Sequence, residues 1–380
     1  MGKVLFLLRR YCPGEAWTNR VLAYAKSFAE EGEEVYLYFL ISDKKRSYYS
    51  IDIPGVNVVN LFENDGFLAK RFRLLSFLKN LLVFKKSVQF GDKYFVYGGY
   101  EYQLCIASLI KHKAKVFCEI TEHPAIYGNS RFINWSNVRK IKLLKNLDGL
   151  FVISKSLEQY YISQGIDSKK IHIINMFVDE SRFIGLQRTV SEKYVAYCGA
   201  VSYEKDGCDT LIRAFNIFHK THPSYKLYII GKGVNEMVLP SLIKLTQELH
   251  ITDSVIFTGA VPPEKIPQLL FNASILALAR PDNLQAKNGF PTKLGEYLAT
   301  GNPVVVTKVG EIPNFIKHMI NGLLAEPDNP VDFAEKLCWI VENPIMAQNI
   351  GAKGKELISN AFNSLAQSKK ALQFIRGGIR

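Results

Sequence analysis

The chain has 380 residues, of which 48% are hydrophobic and 22% are charged. That length predicts two domains with cores of their own, and that composition excludes general disorder. The formal net charge of +13 favours an anionic partner, either nucleic acid or a negatively charged membrane face. Nucleic acid is the weaker interpretation, because the sequence has no zinc-finger spacing, no RNP-type aromatic motif and no basic tail.

The cysteines and the first residues indicate a cytoplasmic protein. The six cysteines form no CxxC motif and no paired spacing, which is typical of a reducing compartment. The apolar run 4–8 is followed at once by Arg9 and Arg10, so we interpret it as a first strand and not as a signal peptide. No apolar stretch reaches the ~20 residues of a membrane-spanning helix.

The N-terminal segment predicts a β-α-β unit. Residues 3–8 form its first strand, a helix begins near Thr18 and ends before Gly32, and residues 34–41 form its second strand. The loop after the first strand has no G-x-G-x-x-G motif, so a dinucleotide site is poorly supported there.

Residues 66–90 mix bulky apolar side chains with basic ones. The apolar members are Phe67, Leu68, Phe72, Leu74, Leu75, Phe77, Leu78, Leu81 and Leu82, and the basic members are Lys70, Arg71, Arg73, Lys79, Lys85 and Lys86. Interfacial helices have this composition, and each basic residue near an anionic surface contributes ~1 kcal/mol. A core helix with a solvated basic face is the alternative. We expect docking on an anionic membrane surface, which would make the protein peripheral at the inner face of the membrane.

Further strands are predicted at the spacing of a parallel α/β sheet, over residues 94–99, 115–121 and 149–156. Glu119, Glu122 and His123 come at the end of the second of these strands, where such folds keep their chemistry. Their spacing fits no zinc pattern, so we expect no metal site. An ordinary loop with an exposed histidine is the alternative.

The second half of the chain continues the alternation of strands and helices. A strand ends at Gly199, a loop with Lys205 follows, and a helix begins near Asp209. Residues 226–233 form another strand, and its Gly-Lys-Gly end is too short for a P-loop. Arg280 follows a further strand, where it is either part of a site or a solvated loop arginine.

Residues 288–306, NGFPTKLGEYLATGNPVVV, are the most informative stretch. A Gly-Phe-Pro turn leads into a short helix that stops at Gly301, before a buried β-branched strand. The first turn of that helix offers free amides at the positive end of the helix dipole, which suits a phosphate. Lys293 and Glu296 share one helix face and would suit a diphosphate with a ribose nearby. A surface turn with a weak, exposed ion pair is the alternative.

This stretch resembles the donor-site signature of the retaining family 4 glycosyltransferases, enzymes of the GT-B fold. That signature places two glutamates around a Gly-Phe-Gly or Gly-Phe-Pro turn, followed by a helix that ends in Ala-x-Gly-x-Pro-Val. The matching residues here are Glu296, Tyr297, Leu298, Ala299, Gly301, Pro303 and Val304. The position of the first glutamate holds Asn288, which is a departure.

The resemblance implies an α/β protein of GT-B architecture, with two Rossmann-like domains facing each other across a cleft. We expect an N-terminal acceptor-binding domain over residues 1–184, joined by a C-terminal helix over residues 362–380. Residues 185–193 would be the linker, and residues 194–361 the domain that binds the nucleotide sugar.

The resemblance also implies which residues bind the donor. Lys205 matches the lysine of the family's Glu-Lys-Gly segment, with Asp206 inserted after it, whereas Ala200 stands where the family has an arginine. Arg280 is a candidate to supply that missing cation. The expected donor-binding residues are Gly199, Lys205, Arg280, Gly289, Phe290, Pro291, Thr292, Lys293 and Glu296.

The loop after the first strand is the acceptor side by the same resemblance, with Pro13, Gly14 and Glu15 as the expected contacts. The expected catalytic residues are His123, Glu122 and Asn288. The first two would orient hydroxyl groups of the acceptor or the sugar. Asn288 would contact a sugar hydroxyl as both donor and acceptor, where a glutamate only accepts.

These features predict a retaining, metal-independent glycosyltransferase that uses a nucleotide-diphosphate sugar. The acceptor would be a lipid-linked or saccharide molecule in the assembly of a cell-surface polysaccharide such as a capsule. We expect no cofactor and no metal, because cations and a helix end would stabilise the diphosphate leaving group. The alternatives are a catalytically silent GT-B subunit and a GT-B sugar-nucleotide epimerase. The silent subunit draws support from Ala200, Asn288 and Asn314, which lack charges usual in the family.

Overall fold

The computed structural model describes residues 2–42, 48–64, 73–127 and 131–377. It divides the chain into two compact units. The first unit consists of residues 1–175 and 364–380, and the second of residues 176–363. Residues 66–72, the start of the predicted membrane-docking segment, lie outside the described residues.

The first unit contains a parallel sheet of seven strands in the order β3-β2-β1-β4-β5-β6-β7. The strands are β1 Val4–Leu8, β2 Val35–Phe39, β3 Val56–Asn60, β4 Lys93–Tyr97, β5 Lys115–Ile120, β6 Gly149–Val152 and β7 Ile171–Ile173. The helices are Ala16–Glu30, Arg73–Ser87, Glu101–Ile110, Arg131–Lys145, Lys155–Ser163 and Ser364–Ile375.

The second unit has a parallel sheet of six strands in the order β10-β9-β8-β11-β12-β13. The strands are β8 Tyr194–Cys198, β9 Lys226–Ile230, β10 Val255–Gly259, β11 Ile275–Leu278, β12 Val304–Thr307 and β13 Leu323–Ala325. The helices are Cys208–Thr221, Val238–Glu248, Ile266–Asn272, Leu284–Asn288, Thr292–Thr300, Ile312–Phe315, Pro330–Glu342 and Pro344–Asn360.

Both sheets reverse their strand order once, between β1 and β4 in the first unit and between β8 and β11 in the second. Helices that follow the two strands at such a switch point leave toward opposite faces of the sheet. The carboxyl ends of these strands therefore border a crevice, which is where open α/β sheets bind ligands. This topology predicts that a ligand site of the second unit lies at the carboxyl ends of β8 and β11.

The boundary between the units differs from the predicted linker. The structure changes unit after Asn175, so residues 185–193 lie within the second unit. Arg188 holds this segment in place by donating to the backbone oxygens of Asn272, at 2.8 Å, and Ala273, at 3.3 Å. The backbone amide of Thr189 donates to the Asn272 side chain at 3.0 Å. These bonds make the segment part of the second unit.

The last helix, Ser364–Ile375, belongs to the first unit. Its Phe374 packs edge-on against Phe151 on β6, with ring centroids 5.7 Å apart. Gly149 makes room for this ring, because a Cβ at that position would overlap Phe374. The contact between Phe374 and Phe151, in the space that Gly149 leaves open, thus holds the C-terminal helix on this sheet.

A buried ion pair joins the first helix to β5. Arg20 Nη2 lies 2.5 Å from Glu119 Oε1, both side chains are almost fully buried, and the Tyr24 hydroxyl donates to the same oxygen at 3.0 Å. The guanidinium also donates to the backbone oxygen of Asn175 at 3.2 Å. Burial opposes the charged form of Arg20, yet the Glu119 carboxylate raises its pKa above the ordinary value. The grouping of Glu119 with Glu122 and His123 in a site at the end of this strand is therefore wrong, because the Glu119 carboxylate points into the core.

Replacing Glu119 by Gln should strongly destabilise the first unit. The substitution leaves the Arg20 charge buried without its counter-ion, and breaking such a pair lowers the free energy of unfolding by about 3–5 kcal/mol. Urea unfolding measures the loss. The matched control is Glu31→Gln, which breaks a half-exposed pair with Lys369 and should change the free energy of unfolding by less than ~1 kcal/mol. Equal losses in the two variants would contradict the proposed importance of the buried pair.

Candidate donor site

The helix Thr292–Thr300 begins and ends as the sequence predicts. Pro291 is its N-cap residue and supplies no side-chain hydrogen bond, and the Leu294 amide donates to the Pro291 backbone oxygen at 3.0 Å. The Thr292 and Lys293 amides at the positive end of the helix have no acceptor within it. Gly301 ends the helix with φ of 74°, a left-handed conformation that favours glycine. This helix carries Thr292, Lys293 and Glu296, three of the predicted donor-binding residues.

Lys293 forms an ion pair with the buried carboxylate of Asp206. Its ammonium also donates to the Tyr197 hydroxyl at 3.2 Å, and that hydroxyl donates to Asp206 Oδ2 at 2.8 Å. Burial raises the pKa of Asp206, but the Lys293 charge and hydrogen bond outweigh it, so the pKa lies below its ordinary value. The residue inserted next to Lys205 is thus the internal counter-ion of Lys293.

Arg280 belongs to the same cluster. Its side chain is buried, so the alternative of a solvated loop arginine is excluded. Nε donates to the backbone oxygen of Lys205 at 3.3 Å, and Nη2 donates to that of Gln285 at 3.5 Å. Its charge contributes to lowering the pKa of Asp206. Arg280 therefore holds the Lys205 loop in place and adds positive charge beneath it.

Gly199 follows β8 and lies directly against the ammonium of Lys293. A Cβ on Gly199 would overlap Lys293 Nζ and would lie 3.0 Å from the Tyr197 hydroxyl. The absence of a side chain therefore lets the lysine reach the carboxyl end of β8. Arg280 follows β11, so both residues border the switch point of this sheet.

Lys205 lies in the loop between β8 and the helix Cys208–Thr221 and is partly exposed. Its backbone amide donates to the Ser202 hydroxyl at 3.2 Å. Gly207 ends this loop with φ of 62°, and a Cβ there would overlap the backbone oxygen of Ala279. The loop therefore packs closely against the end of β11, which keeps Lys205 near Arg280.

Glu296 does not share a partner with Lys293. Its Oε1 accepts a hydrogen bond at 2.5 Å from Nη1 of Arg182, a residue that follows the unit boundary. The Lys293 and Glu296 side chains are therefore directed to two different internal partners, although they lie one helical turn apart.

The turn before the helix contributes less to a site than expected. Phe290 is buried against Phe315 and Phe362, with centroid distances of 5.4 and 5.5 Å, so its ring packs in the core and does not face a donor. Gly289 donates its amide to Gln285, at 3.1 Å. Asn288 is buried, and its Nδ2 donates to the Leu284 backbone oxygen at 2.8 Å.

The predicted acceptor and catalytic residues lie in the first unit, apart from Asn288. Pro13, Gly14 and Glu15 are exposed in the loop after β1, and Gly14 has φ of 81°. Glu15 precedes the helix Ala16–Glu30 and accepts a hydrogen bond from the Trp17 indole.

His123 follows β5 and packs on Tyr160, with ring centroids 4.2 Å apart. Burial lowers its pKa below the ordinary histidine value, which favours the neutral imidazole at pH 7. The adjacent Glu122 is partly exposed. A neutral histidine beside an accessible carboxylate can orient hydroxyl groups without adding charge.

Sequence reasoning missed two residues that organise the site, Arg182 and Tyr197. Asp206 was noticed only as an insertion. No local pattern shows that Asp206 and Lys293 meet, because they lie 87 positions apart in the sequence. Arg182 lies in residues 178–183, VDESRF, a stretch in which the sequence predicted no site residue.

The helix Arg73–Ser87 exposes an apolar stripe. Leu75 is 59% exposed, Leu78 48% and Leu82 58%, while Leu81 and Phe84 point into the core. Lys79 and Lys86 are exposed on the same helix. This helix combines features of an interfacial helix and of a core helix with a solvated basic face. Its solvent side carries leucines as well as lysines, and its other side packs in the core.

A second exposed apolar area lies on a nearby helix. Trp135 and Val138, on the helix Arg131–Lys145, are 56% and 71% exposed. The helix Glu101–Ile110 packs against both this helix and the helix Arg73–Ser87, so the three lie side by side. We define the apolar-basic face as the exposed residues Leu75, Leu78, Lys79, Leu82 and Lys86 together with Trp135 and Val138.

Within residues 2–42, 48–64, 73–127 and 131–377, none of the helices has the length and hydropathy needed to cross a bilayer. Across the same residues, no group of three or more His, Cys, Asp or Glu side chains is arranged to hold a metal ion.

Residues 180–357 match the family model described as "Glycosyl transferases group 1". The chain is 28% identical to N-acetyl-alpha-D-glucosaminyl L-malate synthase of Bacillus anthracis over 144 residues, or 38% of this chain and 35% of that protein. It is 29% identical to the amylovoran biosynthesis glycosyltransferase AmsK of Erwinia amylovora over 181 residues, or 46% of this chain and 43% of that protein. The alignments thus span less than half of these two relatives.

The fold is similar to that of Alr3699/HepE of Anabaena, solved in complex with UDP and glucose. The TM-score is 0.76 at 16% sequence identity, over 99% of this chain and 100% of that one. Both units are therefore accounted for by one known architecture, the GT-B fold of two Rossmann-like domains, as the sequence predicts.

Replacing Asp206 by Asn should destabilise the second unit. The Lys293 ammonium would lose its buried counter-ion, which lowers the free energy of unfolding at pH 7 by about 3 kcal/mol. Because the folded-state pKa of Asp206 is depressed, the ion pair stabilises fully above pH ~4 and is lost as the pH falls through that lower pKa. The difference in the free energy of unfolding between the unaltered protein and Asp206→Asn should therefore shrink in acid.

Urea unfolding of the unaltered protein and of Asp206→Asn, at pH 7 and near pH 3, measures this difference in the free energy of unfolding. The matched control is Glu326→Gln, which breaks the exposed pair with Lys308 and should cost less than ~0.5 kcal/mol. A difference between the Asp206 variant and the unaltered protein that stays constant with pH would show that the charge of Asp206 does not matter.

Proposed function

Residues 180–357 belong to the glycosyl transferases group 1 family, and from this premise we propose that the protein transfers a sugar from a nucleotide-diphosphate sugar with retention of configuration. The observation that carries the proposal is the cluster at the switch point of the second unit. There, the open start of the helix Thr292–Thr300, the Lys293 ammonium and the Lys205 loop converge near Gly199.

The chemistry of this cluster suits a diphosphate leaving group. When the bond to the sugar breaks, negative charge grows on the diphosphate oxygens. Lys293 and Lys205 provide positive charge, and the first amides of the helix provide hydrogen-bond donors that are already oriented. Asp206 and Tyr197 hold the Lys293 ammonium in position, so little reorganisation is needed during the reaction.

We propose that the reaction needs no metal ion, with these cations and amides stabilising the diphosphate. Glu296 would accept hydrogen bonds from the ribose hydroxyls, and Asn288 would contact a hydroxyl of the transferred sugar. In the first unit, His123 and Glu122 would orient hydroxyl groups, and the Pro13–Glu15 loop would bind the acceptor.

For the acceptor we propose a saccharide or a lipid-linked saccharide in the assembly of a cell-surface polysaccharide. The match to a glycosyltransferase named for amylovoran biosynthesis supports this class of acceptor. The apolar-basic face supports a reaction next to an anionic membrane. Exposed leucines can enter the interface, and lysines attract acidic headgroups.

A thermal-shift screen against UDP, GDP, ADP, TDP and their common sugars tests the donor proposal. One nucleotide should stabilise the protein in EDTA as well as in magnesium, because ligand at 100 times Kd raises the free energy of unfolding by about 2.7 kcal/mol. Glu296→Ala should abolish the shift.

Two results would contradict parts of this proposal. A shift that appears only with magnesium would overturn metal independence. Stabilisation by a nucleotide sugar without transfer to any acceptor or hydrolysis would favour a catalytically silent subunit.

Vesicle co-sedimentation tests the membrane proposal. Changing Lys79 and Lys86 to Glu should weaken binding to vesicles rich in anionic lipid by more than tenfold, since each lysine near the surface is worth ~1 kcal/mol. Leu75→Ser with Leu78→Ser and Leu82→Ser should also weaken it. The matched control is Ile345→Ser, at an apolar residue of the second unit that is 79% exposed. Equal sedimentation with neutral and anionic vesicles would refute the role of charge.

A further inference from the structure

Arg182 is held beside Glu296 by the segment that opens the second unit. Asp179 caps the 3₁₀ helix Glu180–Phe183 by accepting a hydrogen bond from the Ser181 amide at 3.1 Å. Phe183, the next residue, is buried. The backbone on both sides of Arg182 is therefore fixed. From this fixed backbone, the Arg182 side chain extends to the helix Thr292–Thr300.

Gly295 lets this segment approach that helix. A Cβ on Gly295 would lie 2.7 Å from Met176 Cε and 3.3 Å from Val178 Cβ, both tighter than ordinary contacts. The glycine directly precedes Glu296. The close packing of the segment on the helix is thus built in at the position next to the carboxylate.

The guanidinium of Arg182 spans two acceptors. Nη1 donates to Glu296 Oε1 at 2.5 Å, and Nη2 donates to the backbone oxygen of Pro263 at 3.1 Å. A planar guanidinium can hold both acceptors in fixed directions, whereas a single ammonium on a flexible chain cannot. The contact therefore fixes the orientation of the Glu296 carboxylate as well as its charge balance.

The pair is partly buried but still accessible. The Arg182 side chain is 26% exposed and the Glu296 side chain 24%, so a ligand can reach the carboxylate from solvent. Within the described residues 2–42, 48–64, 73–127 and 131–377, the Glu296 carboxylate accepts the Arg182 hydrogen bond through Oε1. The second oxygen, Oε2, keeps its capacity to accept.

We propose that Arg182 is a positioning residue for ribose recognition. It holds Glu296 through Oε1, and Oε2 then accepts hydrogen bonds from the hydroxyls of the nucleotide ribose. Because the carboxylate is ordered before the ligand arrives, binding does not have to restrict its rotamers. This inference rests on the proposed function, in which Glu296 faces the ribose of the donor.

The test compares each of UDP, GDP and ADP with its 2′-deoxy and 3′-deoxy forms, with affinities measured by calorimetry. The unaltered protein should prefer the ribose form of the nucleotide it binds by roughly tenfold to a hundredfold, as expected for hydroxyl bonds to a charged acceptor. In Arg182→Gln this preference should fall to within ~3-fold of unity, because the carboxylate is no longer oriented.

Two further variants separate positioning from general destabilisation. Glu296→Gln removes the charged acceptor, and we expect it to lose the preference in the same way. Arg188→Gln removes an arginine of the same segment that bonds to the backbone oxygens of Asn272 and Ala273. It should lower the melting temperature but keep the preference for the ribose form.

The outcomes distinguish this inference from the proposed function. Failure of the unaltered protein to bind any of the three nucleotides or TDP would overturn the proposed function and the inference with it. Binding of TDP alone would overturn only the inference, since its deoxyribose lacks the 2′-hydroxyl. Binding with an unchanged preference in Arg182→Gln would overturn the inference alone. A larger preference in that variant would also overturn it, since Arg182 would then compete with the ribose for Glu296.

Discussion

The ion pair between Lys293 and Asp206 is the constraint around which the second unit is arranged. A lysine can approach the carboxyl end of β8 only because Gly199 has no side chain and because a buried carboxylate compensates its charge. Tyr197 bonds to both members of the pair, and Arg280 supports the loop that carries Asp206. Three elements that are distant in the sequence thereby meet at the switch point of the sheet.

The same helix carries both charges that the proposed function assigns to the two ends of a nucleotide. Lys293 and Glu296 lie one turn apart, and each is held by a separate internal partner. The lysine is nearly buried with Asp206, whereas Glu296 and Arg182 are about one quarter exposed. Burial fixes the charge that would face the diphosphate, and a planar guanidinium orients the carboxylate that would face the ribose.

The local patterns allowed correct prediction of most strands and of the helix after the Gly-Phe-Pro turn, because apolar runs and turn residues act over few positions. β3, with the sequence VNVVN, escaped prediction because it is short and half polar. Glu119 was grouped with Glu122 and His123 at the end of a strand, although it is buried against Arg20. Phe290 was assigned to the donor although its ring packs with Phe315 and Phe362, since a sequence does not show what covers an aromatic side chain.

By itself, the sequence determined the alternation of strands and helices, the resemblance in residues 288–306, and the positions of the main candidate charges. Only the tertiary structure decided which charges pair, because Asp206 with Lys293 and Arg182 with Glu296 join residues far apart in the chain. It also decided which leucines of the Arg73–Ser87 helix face solvent. Helical periodicity places side chains around an axis, but burial depends on which neighbours the fold brings against each side.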